Sequence, residues 1–200
     1  GGVLPKSAAA PVGRFQEAFA RLVSAGADGI VVVIVSSKVS STFQSATLAA
    51  EQFPARIPVR VVDSGLVSTA LGLAAIEAAE VAATGASIEE VEAAARSACK
   101  RGHIFATLAT LDYLRRGGRI GAVAALIGGL LEVKPLIAFE DGRIAAAGRV
   151  RSRRRALAAV LDHIQEQGDS ISRLAVAHAD PVELPEFLQS LAGIYQGEVM

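Results

Sequence analysis

The sequence predicts an α/β protein, with a mainly parallel sheet in its first half and a mixed sheet containing a hairpin in its second. Three observations carry this. Residues 29–35, Gly-Ile-Val-Val-Val-Ile-Val, form an unbroken β-branched run, the pattern of a parallel strand buried on both faces. Strand-like and helix-like stretches then alternate through the first half of the chain. In the second half, Glu140-Asp141-Gly142 separates two strand-like runs, and Asp-Gly is a strong hairpin turn.

The elements follow in order. Residues 11–26 read as a helix, because Phe15, Ala18, Phe19, Leu22 and Val23 recur at helical spacing and Gly26 stops it. After the strand at 29–35 and a serine-rich turn, a helical pattern runs to Ala50. Residues 59–62 are a second strand, ending at Asp63-Ser64-Gly65, and an Ala/Leu-rich helix spans 67–83. Ser87 and Glu90 have capping-box spacing and open a helix through Lys100. Residues 103–107 read as a strand, 121–129 as a short apolar helix, and 133–139 and 143–150 as the hairpin strands. Residues 152–167 form a helix with Ala156, Leu157, Val160, Leu161 and Ile164 on one face. A strand at 174–178 and a helix at 184–192 follow, and residues 197–200 read as a strand entering. Two domains are expected, at 1–101 and 102–200.

Composition narrows the class. Apolar residues make up 52% of the chain, enough for a substantial core. Twenty basic and 20 acidic residues cancel, which speaks against a basic field for nucleic acid. The single cysteine, Cys99, excludes an internal disulfide and a cysteine-based zinc site, and fits a reducing cytoplasm. No apolar run approaches the roughly 20 residues a membrane span needs. His103, His163 and His178 show no partners at ligand spacing, so no metal site is expected.

Two segments stand out chemically. Ser36-Ser37-Lys38-Val39-Ser40-Ser41-Thr42 places hydroxyls at the end of the first strand, where open α/β sheets bind ligands. Hydroxyls donate to a carboxylate or phosphate without adding a titratable charge. The plainer alternative is an N-cap from Ser40 or Ser41 with turn chemistry around it. The other segment, residues 111–121, reads Leu-Asp-Tyr-Leu-Arg-Arg-Gly-Gly-Arg-Ile-Gly. Gly117 and Gly118 allow positive φ, and Arg119 offers a planar, permanently charged fork to an anion. The alternative is a helix C-cap followed by a surface arginine. Asp63-Ser64 has a strong alternative as a cap on the next helix, and the arginine-rich run 151–155 reads as a solvated face or a surface for an acidic partner. Ser37, His178 and Asp63 supply the residue types of a hydrolase triad, but no serine sits in a Gly-x-Ser-x-Gly elbow.

Four stretches together resemble the DegV family: residues 35–46, 62–64, 111–120 and 133–142. The Leu-Asp-Tyr-Leu…Gly-Gly-Arg-Ile segment is the most specific of them. The resemblance implies a bacterial, cytoplasmic protein of two α/β domains that binds one long-chain fatty acid between them. It is expected to need no cofactor and to act as a lipid-binding subunit rather than an enzyme. It would present the carboxylate to a separate fatty-acid kinase that forms the acyl phosphate. By position in the family motifs, the fatty-acid-binding residues are Ser7, Ser36, Ser37, Arg119 and His178, with either of the paired serines as the carboxylate contact. Leu126, Ile127, Leu130, Leu131, Leu136, Ile137 and Phe139 are expected to wall an apolar tunnel, or simply to form the core of the second domain.

Departures accompany the match. Residues 8–11, Ala-Ala-Ala-Pro, replace the family's Ser-Gln-Pro-Ser after the Ser7 position, and Ser41 stands where many members carry glycine. The family pattern also has a strand ending in Asp-Ser-Thr ahead of residue 1 and a His-Thr-Gly-Pro-Gly-like segment after residue 200. A chain without them is expected to expose a sheet edge, to be less stable and to be incompetent in phosphotransfer. Two rival functions are a serine-dependent lipid hydrolase and a lipid-sensing regulatory protein.

Overall fold

The computed structural model describes residues 7–54, 57–121, 123–124, 133–179 and 181–200. Two compact units make up the chain: residues 1–102 together with 141–143, and residues 103–140 together with 144–200.

The first unit runs α1 (Val12–Ser24), β1 (Ile30–Ile34), α2 (Thr42–Glu51), β2 (Val59–Asp63), α3 (Ser68–Ala83) and α4 (Ile88–Arg101). β1 and β2 pair in parallel, with Ile30 opposite Val59 and Ile34 opposite Asp63. The crossover through α2 is what a parallel pair requires. Phe19 of α1, Ile30 and Ala49 of α2 form a core cluster, with Phe53 packed edge-on against Phe19 at 5.4 Å. Leu22, although in phase with that face, stays 47% exposed. α3 buries Ala70, Ala74 and Ala78, one turn apart, and α4 buries Val91, Ala95 and Ala98. These small side chains let α3 and α4 pack closely. The capping box of α4 forms, with Ser87 Oγ accepting from Glu90 N and the Glu90 carboxylate accepting from Ser87 N. Gly102 ends α4 where a Cβ would collide with Leu66.

The second unit holds β3 (Phe105–Thr107), α5 (Asp112–Arg116), β4 (Lys134–Glu140), β5 (Arg143–Val150), α6 (Arg153–Gln167) and α7 (Leu184–Ala192). Its three-stranded sheet has the order β3-β4-β5, and β3 pairs antiparallel with β4. α6 packs on β3 and β4, opened by Ser152, whose hydroxyl accepts from Arg155 N. Residues 174–178 do not form the extended strand the sequence suggests. They make one parallel bridge, Leu174 with Val199, flanked by Met200 N donating to Leu174 O and Val176 N donating to Met200 O. A run becomes a strand only as far as it finds backbone partners, and among the described residues they come from Val199 and Met200. Most of the apolar helix expected at 121–129 lies outside the described residues.

Candidate functional site

Parallel pairing brings the carboxyl ends of β1 and β2 side by side. The pairing continues beyond the strands: Ser64 N donates to Ile34 O at 3.0 Å, and Ser36 N to Leu66 O at 2.9 Å. The hydroxyl-rich turn therefore starts from a fixed backbone. Ser36 is fully buried. Its Oγ donates to Gly142 O at 2.7 Å and accepts from Lys38 N at 3.3 Å. Its carbonyl accepts from Val39 N and Ser40 N, both at 3.2 Å. Ser37, half-buried, donates its backbone N–H to Asp63 Oδ1 at 3.1 Å. The same carboxylate oxygen takes Gly65 N at 3.1 Å. The Ser37 hydroxyl bonds to none of the described residues.

Of the remaining hydroxyls, those of Ser40, Thr42 and Ser64 have local duties. Ser40 Oγ accepts from Thr42 N at 3.2 Å and lies 2.8 Å from Thr42 Oγ1, while Ser41 occupies the N-cap of α2 without a side-chain bond. Asp63 and Ser64 do not cap α3, whose N-cap is Val67. Asp63 braces the turns on both sides, and Ser64 Oγ accepts from Leu66 N at 3.0 Å. The site thus combines a braced backbone with the half-buried Ser37 hydroxyl, and the exposed one of Ser41, left to donate at a strand end suited to an anion.

The local sequence marks Asp141-Gly142 as a hairpin turn. Both residues have positive φ, 48° and 74°, as a type I′ turn demands. The turn also belongs to the first unit. A Cβ on Gly142 would lie 2.8 Å from Ser36 Oγ and 3.2 Å from Lys38 Cδ, and Lys38 Nζ donates to Asp141 O at 2.7 Å. The positive φ was legible from Asp-Gly, but the contact with a residue 106 positions away was not.

The other predicted residues are placed as follows. Ser7 is exposed in the chain ahead of α1. Arg119 follows a complete helix C-cap: Gly118, at φ 71°, donates to Arg115 O at 3.1 Å, and Arg119 N donates to Leu114 O at 2.9 Å. Only Gly118 of the pair takes positive φ, since Gly117 sits at −76°. The Arg119 guanidinium is exposed and donates to Gly117 O at 2.6 Å. His178 is exposed and is among the residues lining a cavity of about 400 Å³, together with Val176, Leu184, Leu188, Leu191 and Tyr195. Of the residues expected to wall a tunnel, Leu136 is buried and Ile137 and Phe139 are half-buried on β4. Leu126, Ile127, Leu130 and Leu131 lie outside the described residues.

Other singled-out groups have structural roles. His163 stacks on Phe105 with ring centroids 4.2 Å apart. In the arginine run, Arg153 pairs with Glu183 at 3.5 Å. Cys99 is buried, and that burial pushes its thiol pKa up. Among the described residues no group of His, Cys, Asp and Glu could hold a metal ion, and no helix is long and apolar enough to cross a membrane.

Comparison with known proteins gives a consistent picture. The family model described as "Uncharacterised protein, DegV family" matches residues 1–198. A DegV domain-containing protein of Streptomyces coelicolor is 44% identical over 144 residues, covering 72% of this chain and 50% of the relative. The chain thus spans about half the length of that relative. Among solved structures, one described as fatty acid binding of a DegV family protein from Thermus thermophilus superposes with a TM-score of 0.86 at 30% identity, covering 100% of this chain and 72% of that one. A DegV lipid-binding protein from Thermotoga maritima superposes with a TM-score of 0.82 at 30% identity, covering 100% and 70%.

Proposed function

Because the chain belongs to the DegV family, we propose that it binds a long-chain fatty acid, with the carboxylate held by the hydroxyl-rich turn after β1 and the acyl chain in an apolar tunnel. The observation that carries this is the braced turn itself, where Ser37 keeps an uncommitted hydroxyl while Asp63 holds its backbone. Fatty-acid binding by the Thermus thermophilus relative supports the ligand class. Ser7, Ser36, Ser37, Arg119 and His178 form the proposed head-group set, and Leu136, Ile137 and Phe139 contribute to the tunnel wall. Burial of the chain supplies about 0.8 kcal/mol per CH₂, so the apolar tail drives affinity and the polar end sets orientation.

In this proposal the protein is a cytoplasmic binding subunit, not an enzyme. It uses no cofactor and hands the carboxylate to a separate ATP-dependent kinase that forms the acyl phosphate. Titration with oleic acid and with oleyl alcohol tests the head-group reading. Saturable binding of the acid, weaker binding of the alcohol, and an about tenfold or greater loss of acid affinity in Arg119→Ala are expected. Equal affinity for acid and alcohol would remove the carboxylate from the account. Acyl-phosphate formation in the presence of a candidate kinase tests the transfer step separately.

A further inference from the structure

We propose that Ser36 is a positioning residue that acts through Ser37, and that Gly142 is the support it requires. This rests on the fatty-acid reading above and decides between the paired serines. A hydroxyl has one proton to donate. That of Ser36 is committed to Gly142 O at 2.7 Å, inside a fully buried environment. One of its acceptor sites is taken by Lys38 N. To reach a carboxylate, Ser36 would have to abandon a buried carbonyl, which is costly. Ser37 faces no such cost, because its hydroxyl is uncommitted.

Ser36 is also the node of the turn. Its N–H reaches Leu66 O, its carbonyl takes Val39 N and Ser40 N, and its side chain takes Lys38 N. Ser37 lies between these anchors, so its orientation follows from how Ser36 is seated. The seat is the Gly142 carbonyl, and the turn can approach only because residue 142 has no side chain: a Cβ there would stand 2.8 Å from Ser36 Oγ. The positive φ of 74° adds a second reason for glycine. Gly142 therefore serves the head-group site without touching ligand.

A double-mutant cycle in the full-length protein tests this, with oleic acid as the probe. Ser37→Ala is expected to weaken binding by about tenfold to a hundredfold, the effect of losing one hydrogen bond to a charged group. Ser36→Ala and Gly142→Ala are each expected to weaken it by about tenfold in the wild-type background. In the Ser37→Ala background each should cost less than about twofold more, because both act through the missing hydroxyl. Equal penalties in the two backgrounds would make Ser36 a direct contact and overturn the proposal, as would no penalty at all. If Ser36→Ala does not fold, the Gly142→Ala arm carries the same cycle. Amide hydrogen exchange of Ser37 and Lys38 without ligand gives an independent readout. Faster exchange in either variant supports the positioning role, and unchanged exchange contradicts it. A wild-type protein that binds no oleic acid while these amides respond would overturn the fatty-acid reading alone.

Discussion

Replacing Asp63 removes the brace beneath the candidate site, and the size of the loss follows from its two bonds. Asp63 Oδ1 accepts from Ser37 N and Gly65 N, each at 3.1 Å. A hydrogen bond to a charged acceptor contributes about 1.5–3 kcal/mol. Asp63 is half-buried, so water recovers part of that and the lower end applies to each bond. Asp63→Ala is therefore expected to cost about 3 kcal/mol, close to two such bonds. Asp63→Asn keeps a carbonyl oxygen in the same place and exchanges two charge-assisted bonds for neutral ones, at a cost of about 1 kcal/mol. Urea unfolding at pH 7 reads the difference, and amide exchange at Ser37 and Gly65 localises it. An alanine variant within about 0.5 kcal/mol of wild type, the range of a neutral surface change, would refute the brace. An asparagine variant as damaged as alanine would show that charge, not acceptor placement, is what matters.

Other outcomes follow from single contacts. Phe19→Ala empties the centre of the first unit's core and is expected to cost about 3–5 kcal/mol by denaturant unfolding, a large share of the about 5–15 kcal/mol typical of a domain. Cys99 should resist alkylation by iodoacetamide until the protein unfolds, since the thiol is buried and its pKa is raised by that burial; rapid labelling of the native protein would contradict its placement. Backbone and side-chain hydrogen bonds from Ser87 hold the Glu90 carboxyl below its usual range near 4.5. The folded pKa lies below the unfolded one, so this contribution is present above pH 4.5 and is lost as pH falls through the folded value. Ser87→Ala should accordingly lower the melting temperature at pH 7, with a penalty that shrinks below pH 4.5.

Features governed by neighbours in the chain were legible in the sequence. The β1 run, the Ser87–Glu90 capping box, the Asp141-Gly142 turn and the bounds of α7 all follow from local pattern. Features that depend on distant partners were not. Nothing near Ser36 announces that its proton goes to Gly142, and nothing near Asp63 tells a helix cap from a brace shared with Ser37. The double glycine at 117–118 carried two local meanings, and the structure realises the helix cap at Gly118 while Arg119 remains exposed. Residues 174–178 show the same limit from another side: the short apolar run suggests a strand, but the extent of its pairing depends on Val199 and Met200.

The most direct test of the central claim is mass spectrometry of the purified full-length protein, first under native conditions and then after organic extraction. The account predicts one fatty acid per protein molecule, released by extraction and identified by its mass. It also predicts that Ser37→Ala protein retains less of it. A wild-type protein that carries no fatty acid and takes up none when oleic acid is supplied would contradict the account.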